Sequence, residues 1–349
     1  MSLRAGIVGC GRIAGGFEDD PNREHPYTHI GAYQAVDGVE VVAAADIDLA
    51  AREAFRQRWQ LSLVYPDHRS MLEAEELDIV SVCTPPSSHA EIVYDAAEAG
   101  VKAIFCEKPM AESLEEGRRM VEVCRARGVV LVVNHVRRWD AAYQKAKDLL
   151  ADGAIGELLS VTGHYTSGLM VCGTHLLDLL LYIVGPVAKV YGTVHELAEG
   201  QTYPATRYSE NFSVTDPPVS GWLTFVNGIE GVVFGTARSE QIILDLDFQG
   251  TRGRLRIGLD GHPFELYMAE GPWRSKETYR RRIVKLPRTR NNRIVVALAD
   301  LLASLTLGGQ PRCSGQDAYA TLELSLALHQ SAKTGEPLSL PLSAGAGVR

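Results

Sequence analysis

The chain has 349 residues and a formal net charge of −8, so it is long enough for two domains and lacks the basic excess typical of nucleic-acid-binding proteins. No apolar run reaches membrane-spanning length and the first residues do not resemble a secretory leader, so we expect a cytoplasmic protein without a membrane partner. The six cysteines show no metal-ligand spacing, which predicts reduced thiols and no metal site.

A glycine turn follows the first apolar segment, residues 5–8. The turn consists of Gly9, Cys10, Gly11, Arg12, Ile13 and Ala14. Gly9 permits a tight turn, Gly11 has no Cβ to keep a pyrophosphate from the backbone, and Ala14 lets a helix pack closely on the strand. Because the amides at a helix N-terminus attract phosphate, the order strand, turn, helix start predicts a dinucleotide site.

An acidic residue ends the second apolar segment, residues 39–45. Asp46 stands where a dinucleotide-binding fold places the acid that accepts hydrogen bonds from the adenosine ribose. Its carboxylate would repel the 2′-phosphate of NADP, and Arg52 lies too far into the next helix to change this expectation. We therefore expect NAD(H) as the cofactor.

Residues 17–29 interrupt the expected pattern, because a dinucleotide-binding fold usually continues directly into its first helix here. This insertion is polar and contains two prolines. Two interpretations stay open: a solvated surface loop, or a flap over the cofactor turn from which Tyr27 and His29 reach a substrate. The helix is expected to resume at about residue 31.

Strands and helices alternate as far as residue 133. The further helices are predicted at 49–59, 69–75, 90–99 and from a capping box at 113–116 to Gly128. The further strands are predicted at 63–64, 79–83, 102–106 and 129–133. Apolar strands alternating with helices predict a doubly wound parallel sheet that is covered on both faces.

The pattern changes after residue 139. Helices are predicted at 140–150, 174–184, 293–307 and 317–333. Strands are predicted at 158–165, 187–195, 211–214, 221–225, 231–236, 242–248 and 254–257. Because most of these strands follow one another without helices, the sheet should be mainly antiparallel. We therefore predict an α/β chain, with a Rossmann domain at 1–135 and an α+β domain with an open sheet at 136–349.

Five segments of this sequence occur in an order known from one family. They are residues 9–14, Thr-Pro-Pro-Ser-Ser-His at 84–89, Glu-Lys-Pro at 107–109, Asn-His-Val-Arg-Arg-Trp at 134–139 and Gly-Thr-His-Leu-Leu-Asp-Leu-Leu at 173–180. Over nearly its whole length the chain resembles the glucose–fructose oxidoreductase, inositol dehydrogenase and MocA family (Gfo/Idh/MocA). The resemblance implies an enzyme that transfers a hydride between a bound nicotinamide and a ring alcohol or ketone of a sugar or cyclitol. It also implies a homodimer or homotetramer formed through the open sheet.

Two residues match catalytic positions of that family. Lys108 matches the active-site lysine, and a partly desolvated lysine beside a nicotinamide can hydrogen-bond the reacting oxygen and exchange a proton with it. His175 matches the second position. We expect it in the first turn of its helix, where the dipole disfavours a protonated ring and leaves the imidazole able to accept a proton.

Further matches concern cofactor and substrate contacts. Thr84, Pro85 and His89 match a loop beside the cofactor, and Glu107 matches a position near the nicotinamide. Asn134, Arg137 and Tyr165 are the expected substrate contacts beside His175. For Arg137 and Arg138 two interpretations stay open: recognition of a carboxylate or phosphate on the substrate, or an interdomain ion pair.

The chain departs from the family at Val171, where many members have an aspartate four residues before the histidine. Valine neither holds nor passes a proton, so we expect Lys108, His175 and Tyr165 or water to handle it, and the insertion to supply part of the site wall. Two other functions stay open. One is glycoside cleavage through a transient ketone, with bound NAD reduced and reoxidised, and the other is non-catalytic, NAD-responsive regulation.

Overall fold

The computed structural model describes residues 2–194, 216–236, 239, 241–269, 280–285 and 292–342. These residues fall into two compact units. The first comprises the described residues within 1–139 and 289–319, and the second those within 140–288 and 320–349.

A six-stranded parallel sheet forms the centre of the first unit, which confirms the predicted doubly wound fold. Its strands are β1 (Leu3–Val8), β2 (Val39–Ala45), β3 (Leu63–Tyr65), β4 (Ile79–Val82), β5 (Ala103–Cys106) and β6 (Val130–Val133). Their order across the sheet is β3-β2-β1-β4-β5-β6, so the winding reverses between β1 and β4. In such sheets the ligand crevice lies at this reversal, beyond the carboxyl ends of the strands.

Five helices connect these strands. They are α1 (His29–Ala35), α2 (Leu49–Trp59), α3 (His68–Ala74), α4 (His89–Glu98) and α5 (Leu114–Arg127). The predicted capping box is confirmed: the Ser113 side chain accepts from the Glu116 amide, and the Glu116 side chain accepts from the Ser113 amide. Asp48 caps α2 in a similar way by accepting from its first-turn amides.

The first helix does not run on directly from the glycine turn. Residues 11–15 form a turn, and α1 begins only at His29. There the amides of His29 and Ile30 donate to the carbonyl oxygens of Ile13 and Ala14 at 3.1 and 3.0 Å. The insertion therefore loops out between the glycine turn and α1, which are joined by these backbone hydrogen bonds.

A later stretch of chain completes the first unit. Helix α8 (Arg293–Leu307) contacts α1, β5 and β6. Its buried residues are Ile294, Ala297, Leu298 and Leu301. The first unit therefore consists of two separate stretches of chain, whereas the sequence predicted one continuous domain. The domain boundary at residue 135 stays a prediction.

The second unit is built on a nine-stranded sheet. Its strands are β7 (Leu158–Thr166), β8 (Val187–Val194), β9 (Val219–Phe225), β10 (Glu230–Thr236), β11 (Leu244–Gly250), β12 (Gly253–Ile257), β13 (Phe264–Met268), β14 (Arg280–Ile283) and β15 (Leu338–Ser339). Their order is β14-β13-β12-β11-β7-β10-β9-β8-β15, and among these strands only β7 and β10 pair in parallel. The mainly antiparallel sheet is confirmed. The strand predicted at 211–214 lies outside the described residues.

Among the described residues, helices cover one face of this sheet, and the opposite face carries the exposed side chains of Tyr191, Trp222 and Phe234. The helices are α6 (Ala141–Ala151), α7 (Thr174–Ile183) and the part of α9 (Gly315–Thr334) that follows residue 319. The covered face holds the core of the unit, including Tyr165, Phe225 and Phe248. In the part of the chain that the structure describes, no helix combines the length and apolarity needed to cross a bilayer.

Candidate active site

The segments that follow the strands of the first sheet lie side by side along its carboxyl edge. The amide of Gly9 donates to the Ala45 carbonyl at 2.8 Å, and the amide of Glu107 donates to the Val82 carbonyl at 2.9 Å. The amide of Asn134 donates to the last residue of β5 at 2.8 Å. The polar residues predicted at separate strand ends are thus brought to one edge.

The glycine turn has the backbone that a dinucleotide requires. Gly9 has a φ of +91°, and a Cβ there would lie 2.9 Å from the backbone of Cys83 and Thr84. A side chain at this position would therefore force the turn away from the end of β4. A Cβ on Gly11, by contrast, would meet no described atom within 4 Å, so the backbone is open to a pyrophosphate.

Asp46 is held beside this turn by two backbone amides. The Cys10 amide donates to its Oδ2 at 2.7 Å and the Asp48 amide donates to its Oδ1 at 2.8 Å. Each oxygen keeps a further lone pair for a ribose hydroxyl. Arg52 donates to the backbone carbonyl of Asp46 at 2.8 Å, and the adjacent Ile47 is 90% exposed, which leaves apolar surface beside the acid. These residues fit the adenosine half of NAD.

The thiols at this edge are buried, and burial favours their protonated form. Burial, aided by the Asp46 charge, raises the pKa of Cys10 to about 12. Burial also raises the pKa of Cys83 and of Cys106. All six cysteines are free thiols, in agreement with the sequence.

Glu107 is the centre of a hydrogen-bond network on this edge. Asn134 Nδ2 donates to Glu107 Oε1 at 2.6 Å, and His29 Nε2 lies 3.1 Å from the same oxygen. Burial by itself raises the pKa of Glu107, but the hydrogen bonds from His29 and Asn134 and the charges of His29 and Lys108 outweigh it and lower the pKa. Glu107 is therefore ionised at neutral pH, and its Oε2 accepts from the Lys108 amide at 3.3 Å.

His29 lies inside the first unit and has no exposed surface. Its Nδ1 is 3.0 Å from the Ser81 hydroxyl, which in turn is 2.9 Å from the Tyr33 hydroxyl. Its ring packs on Phe105 with the centroids 4.5 Å apart. The hypothesis that His29 reaches a substrate from a flap is therefore wrong. The N-cap residue Thr28, directly before an apolar stretch, is the sequence signal that would have placed His29 at a helix start.

The insertion itself is a compact loop. The Arg23 guanidinium lies over the rings of Phe17 and Tyr27, 4.1 and 4.3 Å from their centroids. The Glu18 carboxylate accepts from the amides of Tyr27 and Thr28 at 2.7 and 2.9 Å. Side chains of the loop thus bind its own backbone, as in other packed surface loops.

His89 has a structural position at the start of α4. Thr84 and the exposed Pro85 lie between the end of β4 and this helix. His89 is fully buried, with Nε2 2.8 Å from the Thr84 carbonyl and Nδ1 3.0 Å from the Pro109 carbonyl. Burial lowers the pKa of His89, which disfavours a charged ring. The side chain therefore links the Thr84 loop to the segment that carries Lys108.

The two neighbouring arginines differ in their surroundings. Arg138 is 3% exposed, donates to the Arg312 carbonyl at 2.8 Å and lies 3.0 Å from an oxygen of Asp317. It therefore joins the end of β6 to the later stretch of the first unit, which makes it structural. Arg137 is half-buried, and its contact with substrate stays a prediction.

Asn134 carries a buried acceptor with no hydrogen-bond partner among the described residues. The side chain is 4% exposed, and its Oδ1 has no donor, whereas its Nδ2 is bound to Glu107. Such an acceptor costs about 1–3 kcal/mol if it stays unpaired. A carboxamide N–H of nicotinamide or a substrate hydroxyl would satisfy it, which fits the prediction that Asn134 contacts one of them.

The second unit contains His175 on α7. His175 is the second residue of this helix, which confirms the predicted place in its first turn, and a π-helical turn, Leu169–Gly173, runs directly into the helix. The helical segment begins earlier, where the Asp216 carboxylate accepts from the amides of Met170 and Val171 at 3.0 and 3.2 Å. No local pattern predicts Asp216, because it is distant in sequence from the turn that it binds. The pairing of His175 with Lys108 stays a prediction.

Tyr165 is fully buried in the core of the second unit. Its hydroxyl donates to the Val219 carbonyl and accepts from the Val219 amide, both at 2.8 Å. A Cβ on Gly235 would lie 2.6 Å from this hydroxyl. Burial raises the pKa of Tyr165, so the proton is firmly held. This placement corrects the prediction that Tyr165 contacts the substrate or passes a proton.

The features described so far define a protein that binds a nicotinamide dinucleotide. They are a doubly wound sheet, an open glycine turn, an acid at the end of β2, and a lysine and a glutamate on the same edge. Residues 3–135 match the family model GFO_IDH_MocA, described as an oxidoreductase family with an NAD-binding Rossmann fold. Residues 3–135 therefore form an NAD-binding Rossmann domain similar to that of the Gfo/Idh/MocA oxidoreductases.

Relatives with named activities support this assignment. The chain is 28% identical over 378 residues to D-apiose dehydrogenase of Paraburkholderia graminis, which covers 97% of this chain and 90% of that protein. It is 38% identical over 157 residues to inositol 2-dehydrogenase 3 of Saccharopolyspora erythraea, which covers 45% and 43% of the two proteins. A levoglucosan dehydrogenase in complex with NADH shares the fold, with a TM-score of 0.80 at 21% identity over 98% of this chain and 100% of that chain.

Proposed function

We propose that this oxidoreductase transfers a hydride between NAD and a ring alcohol or ketone of a sugar or cyclitol. The observation that carries the proposal is the Glu107–Lys108 pair, in which a largely buried, ionised carboxylate lies beside a lysine on the ligand edge of an NAD-binding unit. The substrate class is supported by relatives named for apiose and inositol.

The cofactor, when bound, supplies the hydride acceptor for oxidation or the hydride donor for reduction. The residues that we assign to its binding are Gly9, Cys10, Gly11, Arg12, Ile13, Ala14, Asp46, Thr84, Pro85, His89, Glu107 and Lys108. The open backbone at Gly11 and the amide-bound carboxylate of Asp46 support this assignment.

Lys108 and His175 share the proton chemistry in this proposal. The charge of Glu107 favours the ammonium form of Lys108, so Lys108 donates a hydrogen bond to the reacting oxygen and stabilises the negative charge that develops there. His175 takes the hydroxyl proton during oxidation and returns it during reduction. Asn134 and Arg137 orient the substrate.

Replacement of one lysine tests these roles. We expect Lys108→Ala to lower turnover by about 10²–10⁴-fold, because it removes a group that acts on the reacting oxygen. The Kd for NADH, measured by nucleotide fluorescence, should change little. NADH formation or loss is followed by absorbance across a panel of sugars, inositols and their keto forms.

Lys102→Ala is the matched control. Lys102 precedes β5 at its amino end and pairs with Asp78 at 2.7 Å, so its replacement removes the same charge at a distance from the ligand edge. Unchanged turnover in Lys108→Ala would contradict the proposal. Release of a free sugar without net NADH would favour glycoside cleavage instead, and NADH binding without any turnover would favour a regulator.

We also propose that the protein is a cytoplasmic homodimer or homotetramer that assembles through the exposed face of the second sheet. Tyr191 and Trp222 are paired on neighbouring strands of this face and are 42% and 52% exposed, and Phe234 on β10 is 46% exposed. Aromatic surface of this kind is typical of association sites. Trp222→Glu should therefore lower the oligomeric state in analytical ultracentrifugation.

A further inference from the structure

We propose that His29 is a positioning residue of the active site, which holds the Glu107 carboxylate in place beside Lys108. The proposal rests on the proposed function to the extent that Lys108 acts on the substrate. It is carried by a buried chain of side chains, Tyr33, Ser81, His29 and Glu107, in which successive polar atoms are 2.9, 3.0 and 3.1 Å apart.

The charge of Glu107 defines the direction of the hydrogen bond that it shares with His29. An ionised carboxylate only accepts, so His29 Nε2 must carry the proton. His29 Nδ1 and the Tyr33 hydroxyl both lie within hydrogen-bond distance of the Ser81 hydroxyl, at 3.0 and 2.9 Å. Burial raises the pKa of Tyr33, which keeps its proton available for this bond. The donor at the end of this chain, His29 Nε2, therefore points toward Glu107.

The far end of the chain excludes a role in proton conduction. Tyr33 is 3% exposed and Ser81 is fully buried, so the chain ends in the core of the first unit and offers no exit for a proton. A chain that cannot exchange protons with water can still fix the position and the charge of the group at its other end. His29 is thus assigned to positioning.

The charge of Glu107 depends on the groups around it, and His29 is the most important of them. On the facing elements these groups are His29, Lys108, His89, Cys83 and Cys106, together with the amide of Asn134. Burial keeps the two thiols protonated and disfavours a charged His89. Among the described residues, His29, Asn134 and Lys108 oppose the effect of desolvation on the carboxylate.

Loss of His29 should therefore let Glu107 bind a proton at higher pH. The folded-state pKa of Glu107 is lowered in the native chain, and His29 supplies the largest of the lowering contributions. In His29→Ala we expect the acid limb of the kcat/KM profile to move up by about one pH unit, equivalent to about 1.4 kcal/mol. The kcat should fall about tenfold, while the Kd for NADH and the KM for substrate change less than about twofold.

His29→Gln tests whether a hydrogen-bond donor at this position is enough. Its side-chain amide donates to a carboxylate, so it should restore most of the kcat and return the acid limb toward the wild-type position. Met120→Ala is the stability control, since Met120 is fully buried on α5 and is not part of this chain of side chains. It should lower the Tm and leave the pH profile unchanged.

A readout that needs no turnover separates this inference from the proposed function. The Glu107 carboxyl band is titrated by infrared spectroscopy in the NAD-free protein and assigned by its loss in Glu107→Gln. We expect protonation at higher pH in His29→Ala than in wild type, and the same titration in both proteins would overturn the inference. If His29→Ala does not fold, Ser81→Ala should give a smaller shift in the same direction, and no shift would overturn it equally.

A shifted titration in a protein that turns over no sugar or cyclitol would refute the proposed function and leave the positioning role intact. Turnover that depends on Lys108, together with an unshifted titration of Glu107, would refute the positioning role and leave the proposed function intact.

Discussion

In each unit a single carboxylate holds the segment that leads into a helix. Glu18 accepts from two consecutive backbone amides directly before α1, at 2.7 and 2.9 Å. Asp216 accepts from two consecutive amides before α7, at 3.0 and 3.2 Å. Each carboxylate also lies beside a histidine, with His25 2.8 Å from Glu18 and His329 3.2 Å from Asp216. Negative charge at a helix start satisfies amides that have no partner within the helix.

The two contacts differ in how far they reach along the chain. Glu18 binds residues 9 and 10 positions away, whereas Asp216 binds residues 45 and 46 positions away. A short loop closes at little entropic cost, but a distant partner is in place only when the surrounding sheet has formed. The insertion can therefore order itself, whereas the turn before α7 depends on the fold of the second unit.

Asp216→Ala should have the largest effect on this pair of contacts. It leaves two backbone amides of the turn without their acceptor, which should lower the free energy of unfolding by about 3 kcal/mol in urea titrations. Hydrogen exchange of the Met170 and Val171 amides should accelerate, while exchange in the insertion stays unchanged. Asp216→Asn keeps one acceptor oxygen and should lose less. Equal losses in the two variants would contradict the hydrogen-bond explanation.

Gly168→Ala should have the next largest effect, and Gly31→Ala is its counterpart in the first unit. A Cβ on Gly168 would lie 2.0 Å from Asp216 Oδ2 and 2.6 Å from the Asp216 carbonyl oxygen, and the latter cannot rotate away. A Cβ on Gly31 would lie 2.5 Å from Glu18 Oε1. We expect losses of about 2 and about 1 kcal/mol by thermal unfolding. The reverse order would show that the first unit is the less adaptable of the two.

Glu18→Gln should cost about 1 kcal/mol, because one carbonyl oxygen remains as an acceptor. The faster hydrogen exchange should be confined to the insertion and the first turn of α1, since the contact is local. Faster exchange of amides in the second unit as well would contradict the conclusion that the insertion is stabilised by its own local contacts.

The smallest expected effect is a pH dependence of the Glu18 contact. Burial raises the pKa of Glu18, but hydrogen bonds from Tyr27 and Thr28 and the charge of His25 lower it below its usual 4.5. A lowered folded-state pKa means that the stabilisation is complete above the usual value and is lost as the pH falls through the folded-state pKa. The difference in unfolding free energy between wild type and Glu18→Gln should therefore shrink below pH 4.5. A constant difference across that range would contradict this assignment.

The edge of the first sheet was predictable because each part of it is local. A strand, a turn and a helix start follow one another at Gly9, and the acid at the end of β2 needs only a count of residues. The parallel sheet then brings the strand ends together without further information. Local patterns did not predict the position of His29, because the polar loop before it obscured the signal for the start of α1.

The second unit was less predictable, since its site residues depend on packing between distant segments. The alternation along the strand predicts which face of the sheet carries the Tyr165 side chain. It does not predict whether that face packs on a core or on a ligand. The residues next to Asp216 in the sequence do not indicate that it binds the turn before α7. The sequence also does not predict β14, because all four of its residues are exposed and three are arginines.

The first unit cannot be released whole by one cut in the chain. Helix α8 returns to it from far along the sequence, and four of its residues are buried. A fragment that ends at residue 139 would therefore expose apolar surface on α1, β5 and β6 and should aggregate when expressed alone. Joining residues 292–319 to that fragment through a flexible linker would supply the missing helix, and would give a minimal nucleotide-binding module suitable for isotope labelling.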